Sequence, residues 1–136
     1  MRGRARLYAA VAAGGGIGAV ARHLCAAAAL ALFGPGFPWG TLSVNVLGSF
    51  VIGFYATLTG PDGRVLASPA ARQFVLAGFC GGFTTFSAFS LETIRFLQAG
   101  AGGLALAYVL ASVALWLPAV WLGHRVAQRA NQLKGA

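Results

Sequence analysis

The sequence Gly78-Phe79-Cys80-Gly81-Gly82-Phe83-Thr84-Thr85-Phe86-Ser87-Ala88-Phe89-Ser90 lies within an apolar segment long enough to cross a bilayer, which takes about 20 residues. The adjacent glycines Gly81 and Gly82 weaken a helix there. The hydroxyl groups of Thr84 and Thr85 can replace the backbone partners that a broken helix loses. Irregular backbone at membrane depth persists only where protein or a water-filled cavity covers it. The stretch therefore predicts a helix that is broken between Gly81 and Thr85 and buried against other helices.

A break of this kind presents backbone groups that can bind ions. Free carbonyl groups are ligands for a hard cation, and free N–H groups are donors for an anion. For Gly81-Gly82 alone, a packing surface between two helices remains the alternative. After the break, Phe86 and Phe89 share one helical face, and Ser87 and Ser90 form a second pair at the same spacing.

The composition is that of one membrane domain: of the 136 residues, 58% are hydrophobic and 9% are charged. The net charge of +8 includes only two acids, Asp62 and Glu92. Basic residues lie between the apolar segments and at the chain ends, which is typical of cytoplasmic membrane flanks and not of a nucleic-acid-binding patch. The sequence also has no nucleophile–base pair, metal-ligand cluster or carboxylate pair that would indicate an enzyme.

Four apolar spans fill a single all-α domain that covers residues 1–136. They are predicted at roughly 7–33, 39–58, 74–97 and 104–126. Four spans in so short a chain enclose little space, and a broken helix needs cover. The sequence therefore predicts an oligomer, most simply a dimer.

Arg22 and Glu92 are the charged residues within these spans that bear most on function. Arg22 lies within the first span, where a charge costs on the order of 3 kcal/mol. It should face protein or water, with snorkelling to the membrane surface as the alternative. Glu92 lies near the end of the third span, three residues before Arg95. It is either a functional intramembrane carboxylate or half of an interfacial ion pair.

The second span carries a polar, small stripe at every fourth position, formed by Thr41, Asn45, Ser49 and Gly53. The stripe indicates either hydrogen bonds between helices, worth about 0.6 kcal/mol each, or a path lined with donors. The amide of Asn45 is the best donor of that path. Tyr108 and Ser112, one turn apart in the fourth span, can extend a polar track.

Three motifs together resemble the Fluc/CrcB family of fluoride channels across all four spans. They are Gly14-Gly15-x-x-Gly18-Ala19-x-x-Arg22, Gly40-Thr41-Leu42-x-Val44-Asn45-x-x-Gly48, and the stretch from Gly78 to Phe89 followed by Glu92. The resemblance implies two four-helix subunits in antiparallel orientation with two fluoride pores. It also implies a structural sodium ion at the dimer centre, held by the main-chain carbonyls of Gly81 and Thr84.

The same resemblance implies which residues line the pores. The positions that match the family are the phenylalanines Phe86 and Phe89, the amide Asn45, and the polar residues Tyr108 and Ser112. The hydroxyls of Thr85 and Ser87 are further donors that can replace the water around a fluoride ion. Trp116 is a departure, because many members carry another hydroxyl one turn beyond Ser112. This departure puts part of the polar track in question.

The resemblance implies that the function is passive export of fluoride across the cell membrane, which lowers cytoplasmic fluoride. The edges of the Phe86 and Phe89 rings are the positive part of the ring quadrupole and can host a small anion. The alternative is a small multidrug-type cation/proton antiporter. That activity needs a carboxylate in a binding cavity, for which Glu92 is the candidate.

The distribution of basic residues predicts an orientation in the membrane. With four spans, both chain ends and the loop between spans two and three share one side. That side carries Arg2, Arg4, Arg6, Arg64, Arg72, Arg125, Arg129 and Lys134. The opposite side carries Arg95, and Arg22 only if it snorkels there. Because Lys/Arg bias sets orientation, the chain should insert mainly with both ends in the cytoplasm. An antiparallel dimer then requires a homologous partner of opposite bias, or a homodimer in which the bias is overridden.

Overall fold

The computed structural model describes residues 2–132, without the side chain of Arg2. This part of the chain is all-helical and contains no strand. Its helices are α1 (Arg2–Phe33), α2 (Trp39–Leu58), α3 (Pro69–Gln73), α4 (Cys80–Phe83), α5 (Phe86–Gln98) and α6 (Gly102–Gln132), with a π-helical segment (Phe74–Phe79) between α3 and α4. Four stretches are long and apolar enough to cross a membrane, namely Gly3–Phe33, Trp39–Leu58, Pro69–Gln98 and Gly102–Gln132. The predicted all-α chain with four apolar spans is confirmed.

The helix ends differ from the predicted spans where local capping extends a helix. The third stretch begins at Pro69 because the Ser68 Oγ accepts from the Ala71 N–H at 3.2 Å and proline suits the first helical position. Gly34 (φ 74°) and Gly100 (φ 73°) end their helices in the left-handed conformation. The helix α6 continues past residue 126 because backbone hydrogen bonding does not stop at the edge of the apolar segment.

Backbone-to-backbone contacts at glycines join α2 to α6. A Cβ atom added at Gly53 would overlap the carbonyl oxygen of Val120, and one added at Gly123 would overlap the carbonyl oxygen of Phe50. In a membrane the hydrophobic effect contributes little to the association of helices. Small residues hold helices together there because they permit this close approach.

The glycines of α1 make the same kind of contact with the π-helical segment and α4. A Cβ added at Gly18 would overlap the carbonyl oxygen of Phe79, and one added at Gly82 would overlap the carbonyl oxygen of Gly15. The packing interpretation of the glycine pair therefore holds for Gly82. Gly81 makes no such contact within the described chain, where an added Cβ would meet nothing within 4 Å.

The backbone leaves the helical conformation between α4 and α5, at a two-residue stretch that we call the junction. Thr84 (φ −84°, ψ 162°) and Thr85 (φ −153°, ψ 121°) are both extended. The sequence placed the loss of helix from Gly81 onward, but Gly81 and Gly82 both lie within α4. Contact with α1 holds Gly82 in place, and the Thr84 N–H still donates to the Cys80 carbonyl at 2.9 Å.

Candidate ion site at the junction

Asn45 holds the extended backbone of the junction. The Thr85 N–H donates to the Asn45 Oδ1 at 2.8 Å, and the Asn45 Nδ2 donates to the Thr85 carbonyl at 2.9 Å. Both residues are buried. The amide thus satisfies both backbone groups of Thr85, as a neighbouring strand would. One of the two Nδ2 hydrogens remains for another acceptor.

The hydroxyls of the junction cap the helices on either side of it. The Thr85 Oγ1 accepts from the Ala88 N–H at 3.1 Å and lies 3.2 Å from the Ser87 Oγ. The Thr84 Oγ1 donates to the Cys80 carbonyl at 2.8 Å. The first N–H groups of α5 and the last carbonyls of α4 have no partner within their own helices. Partial positive charge from α5 and partial negative charge from α4 therefore meet at the junction.

The two carbonyls predicted to bind sodium lie at the α4 side of the junction. The Thr85 N–H, which would bond the Gly81 carbonyl in a continuous helix, donates to Asn45 instead. Gly81 is exposed in the single subunit. The Thr84 carbonyl accepts from the Arg22 Nη1 at 3.5 Å, a long contact that leaves a lone pair for another partner. Main-chain carbonyl oxygens are suitable ligands for sodium, although two of them do not complete its coordination shell.

Arg22 faces protein in this structure. Its side chain is half-buried and reaches the Thr84 carbonyl. The contact supports the prediction that Arg22 faces protein and does not snorkel. Nothing in the sequence connects Arg22 to Thr84, because the two residues are 62 positions apart.

A cluster of aromatic rings follows the junction. Phe89 is only 8% exposed. Its ring centroid lies 5.5 Å from that of Phe86, 5.1 Å from that of Tyr108 and 4.9 Å from that of Trp116. Phe86 is 72% exposed in the single subunit. The structure therefore brings the two phenylalanines together, with one buried in the bundle and the other on its surface.

Glu92 accepts hydrogen bonds from two hydroxyl groups. Tyr108 donates to the Glu92 Oε2 at 2.7 Å, and Thr41 donates to the Oε1 at 2.8 Å. Within the described chain, the Glu92 carboxylate bonds these two hydroxyls and not Arg95, although both charged residues line one cavity. The sequence singled out all three of Thr41, Glu92 and Tyr108 but had no spacing that joined them. A carboxylate thus flanks the predicted polar track, which the sequence did not indicate.

Two cavities lie beside the aromatic cluster and the hydroxyls that donate to Glu92. A cavity of about 370 Å³ lies at the junction. Its lining includes Asn45, Ser49, Gly81, Thr84, Thr85, Phe86 and Trp116. A second cavity of about 390 Å³ is lined in part by Thr41, Glu92 and Arg95. The contact between the rings of Phe89 and Tyr108 connects the residues of one cavity to those of the other.

The other predicted site residues, Ser87 and Ser112, do not line the junction cavity. Ser87 is exposed at the start of α5. Ser112 is fully buried on α6, and its hydroxyl has no hydrogen-bond partner among the described residues.

These features define an all-helical, multi-pass membrane protein with buried polar side chains and backbone groups at a helix junction. A family model described as CrcB-like protein, Camphor Resistance (CrcB), matches residues 9–124. The chain belongs to this family, as the sequence motifs predicted, and it is a protein of the bacterial cell membrane.

Similar proteins share this sequence over almost its whole length. A protein of Rhodopseudomonas palustris named fluoride-specific ion channel FluC 1 is 58% identical over 135 residues, covering 99% of this chain and 96% of the relative. A protein of the same name from Bradyrhizobium diazoefficiens is 60% identical over 131 residues, covering 96% and 90%. Fluoride-specific ion channel FluC of Opitutus terrae is 51% identical over 130 residues, covering 96% and 98%. These names give no support to the antiporter alternative.

Proposed function

We propose that this chain is a subunit of a fluoride-specific ion channel that lets fluoride leave the cell passively. The observation that carries the proposal is the set of side-chain contacts that runs from Phe86 in the junction cavity, through the rings of Phe89 and Tyr108, to the cavity beside Glu92. The names of the relatives supply the choice of fluoride over other anions.

The route begins where positive charge is available without a basic side chain. The N-terminus of α5 favours an anion, and Asn45, which lines the junction cavity, retains a second Nδ2 hydrogen as a donor. Beyond it, the ring edges of Phe86 and Phe89 offer weakly positive hydrogens. Fluoride is strongly hydrated, so donors along a narrow path must replace its water at each step.

The far end of the route contains two hydroxyls that already donate hydrogen bonds to Glu92. The O–H groups of Thr41 and Tyr108 both donate to Glu92. Each hydroxyl has one hydrogen, so it can serve either the carboxylate or a passing fluoride ion. Arg95, which lines the same cavity, offsets the negative charge of Glu92 where the route meets water.

The active unit in this proposal is a dimer with a structural sodium ion. Gly81, Phe86 and Ser87 are exposed in the single subunit, and irregular backbone in a membrane needs cover. A second, antiparallel subunit provides that cover. The carbonyls of Gly81 and Thr84 from both subunits would hold the sodium, which supplies fixed positive charge at the dimer centre.

The test of the function is anion efflux from liposomes that contain the purified protein. Fluoride-loaded liposomes should empty, and chloride-loaded liposomes at the same protein density should not. Equal efflux of the two anions, or no fluoride efflux from correctly inserted protein, would contradict the proposal.

The sodium site is tested separately by exchanging sodium for a bulky organic cation during purification. The exchange should lower both fluoride efflux and the fraction of dimer measured by cross-linking in detergent. If neither quantity changes, the carbonyls of Gly81 and Thr84 do not hold a structural cation.

A further inference from the structure

Two buried polar side-chain atoms lack a hydrogen-bond partner within the part of the chain that the structure describes. They are the Oγ of Ser112 and the Nε1 of Trp116. The two residues are four positions apart on α6, so they lie on one face of that helix. Leaving a buried polar group unpaired costs about 1–3 kcal/mol. The two groups lie on adjacent turns of one face, and Trp116 is the one that lines the junction cavity.

Both groups lie beside the proposed ion route. Trp116 lines the junction cavity together with Asn45 and Phe86. Its ring packs at 72° against the ring of Phe89, with 4.9 Å between centroids. Ser112 is one turn closer to Tyr108, at the other end of the same ring cluster.

The indole N–H has the chemistry of an anion ligand. It carries no net charge, and it is a donor only, because the nitrogen lone pair is delocalised into the ring and does not accept hydrogen bonds. A hydroxyl in the same place can turn either its hydrogen or its lone pairs toward the route. An indole in this position can only donate.

We propose that the Trp116 N–H donates a hydrogen bond to fluoride where the ion passes the Phe86–Phe89 pair. Trp116 thereby takes the place of the hydroxyl that the polar track would otherwise carry one turn beyond Ser112. The inference rests on the proposed function. The nitrogen is closed off from solvent in the structure, so the ion reaches it when a neighbouring ring, such as that of Phe89, moves.

The first experiment compares two conservative changes on the same helix. Trp116→Phe keeps an aromatic ring but removes the N–H. Trp121→Phe makes the same change at a side chain that is 61% exposed. Fluoride efflux from liposomes should fall at least tenfold in Trp116→Phe and less than twofold in Trp121→Phe, at equal amounts of dimer. Full efflux in Trp116→Phe would overturn the inference and leave the channel function intact, whereas a wild-type protein without fluoride efflux would overturn the function itself.

The second experiment uses the wild-type protein, so it does not depend on the folding of a variant. It observes the indole groups by ¹H–¹⁵N NMR in nanodiscs. The chain contains three tryptophans, and Trp39 and Trp121 serve as internal controls. Added fluoride should shift the Trp116 indole signal, and added chloride should leave it in place. A Trp116 signal that does not respond to fluoride in an active preparation would overturn the inference.

Discussion

At the scale of single residues, Asn45 is a side chain that was predicted to contact an ion and that the structure shows holding the backbone of the junction. Its amide satisfies the N–H and the carbonyl of Thr85 at 2.8 and 2.9 Å. The sequence predicted Asn45 as a donor to an ion and did not predict its backbone partner, because Thr85 lies 40 positions away. Only the packing of α2 against the junction brings the two residues together.

Replacing Asn45 by leucine should destabilise the protein strongly. The change leaves two buried backbone groups of Thr85 without partners, at about 1–3 kcal/mol each. We expect a loss of about 2–4 kcal/mol in the free energy of unfolding, measured by denaturation in detergent. Ser49→Ala, one turn along the same stripe, is the matched control and should change stability by less than about 0.5 kcal/mol. Similar stability of the two variants would show that the amide does not hold the junction.

Replacing Phe86 by isoleucine should lower fluoride efflux without loss of the dimer. Phe86 is 72% exposed in the single subunit, so the change removes the ring edge while leaving the bundle packed. Phe89→Ile should lower efflux as well, but it also leaves a gap beside Tyr108 and Trp116. Phe33→Ile, at an exposed ring on α1, controls for a general effect of losing an aromatic residue. Wild-type efflux in both pore variants, at equal protein per liposome, would remove these rings from the route.

At the scale of helices, glycine contacts set how closely α1 approaches the segment before the junction. The sequence predicted a smooth glycine face on the first span. It gave no sign that the facing segment, Phe74–Phe79, would be π-helical. A π-helical turn is a local widening of the helix, and no residue pattern along the chain predicts it. Bounds were predicted best for α2, where turn-forming Gly34–Pro38 on one side and Gly60-Pro61 on the other both stop the helix.

A pair of alanine substitutions on α1 tests this close approach. A Cβ at Gly18 would overlap the backbone of Phe79, whereas a Cβ at Gly16 would meet nothing within 4 Å. Gly18→Ala should therefore lower the free energy of unfolding by about 1–3 kcal/mol. Gly16→Ala should be neutral or slightly stabilising, because alanine favours helix. Thermal denaturation of both variants in the same detergent measures the difference, and equal melting temperatures would contradict the contact.

At the scale of the whole molecule, the structure supports the assignment of basic residues to one side of the membrane. The Arg64 N–H donates to the Asn131 Oδ1 at 2.8 Å, and the Asn131 Nδ2 donates to the Thr57 carbonyl at 3.2 Å. These bonds join the loop after α2 to the end of α6. Arg22 lies within α1 and reaches the Thr84 carbonyl. It therefore does not add charge to the side of the membrane opposite the chain ends. Lys134 lies outside the described residues.

The excess of Lys and Arg on one side of the membrane bears on how the proposed dimer would form. Lys and Arg near the span ends set orientation, and Arg95 alone remains as a basic residue on the side opposite the chain ends. A chain that inserts equally in both directions should be nearly balanced. We therefore propose that this chain inserts mainly with both ends in the cytoplasm and pairs with a homologous subunit of opposite bias. The competing arrangement is a homodimer in which some copies insert against the bias.

Expression of this chain alone decides between the two arrangements. A reporter fused after Ala136 should signal from the cytoplasmic side only, and fluoride efflux from the single chain should be weak. Replacing Arg4, Arg6 and Arg64 by glutamine reduces the bias without touching the junction. That variant should insert in both directions and gain efflux, since antiparallel pairs can then form from one chain. Equal reporter signals from both sides, with full efflux from the unmodified chain, would establish the homodimer and show that the junction or the lipid overrides the charge bias.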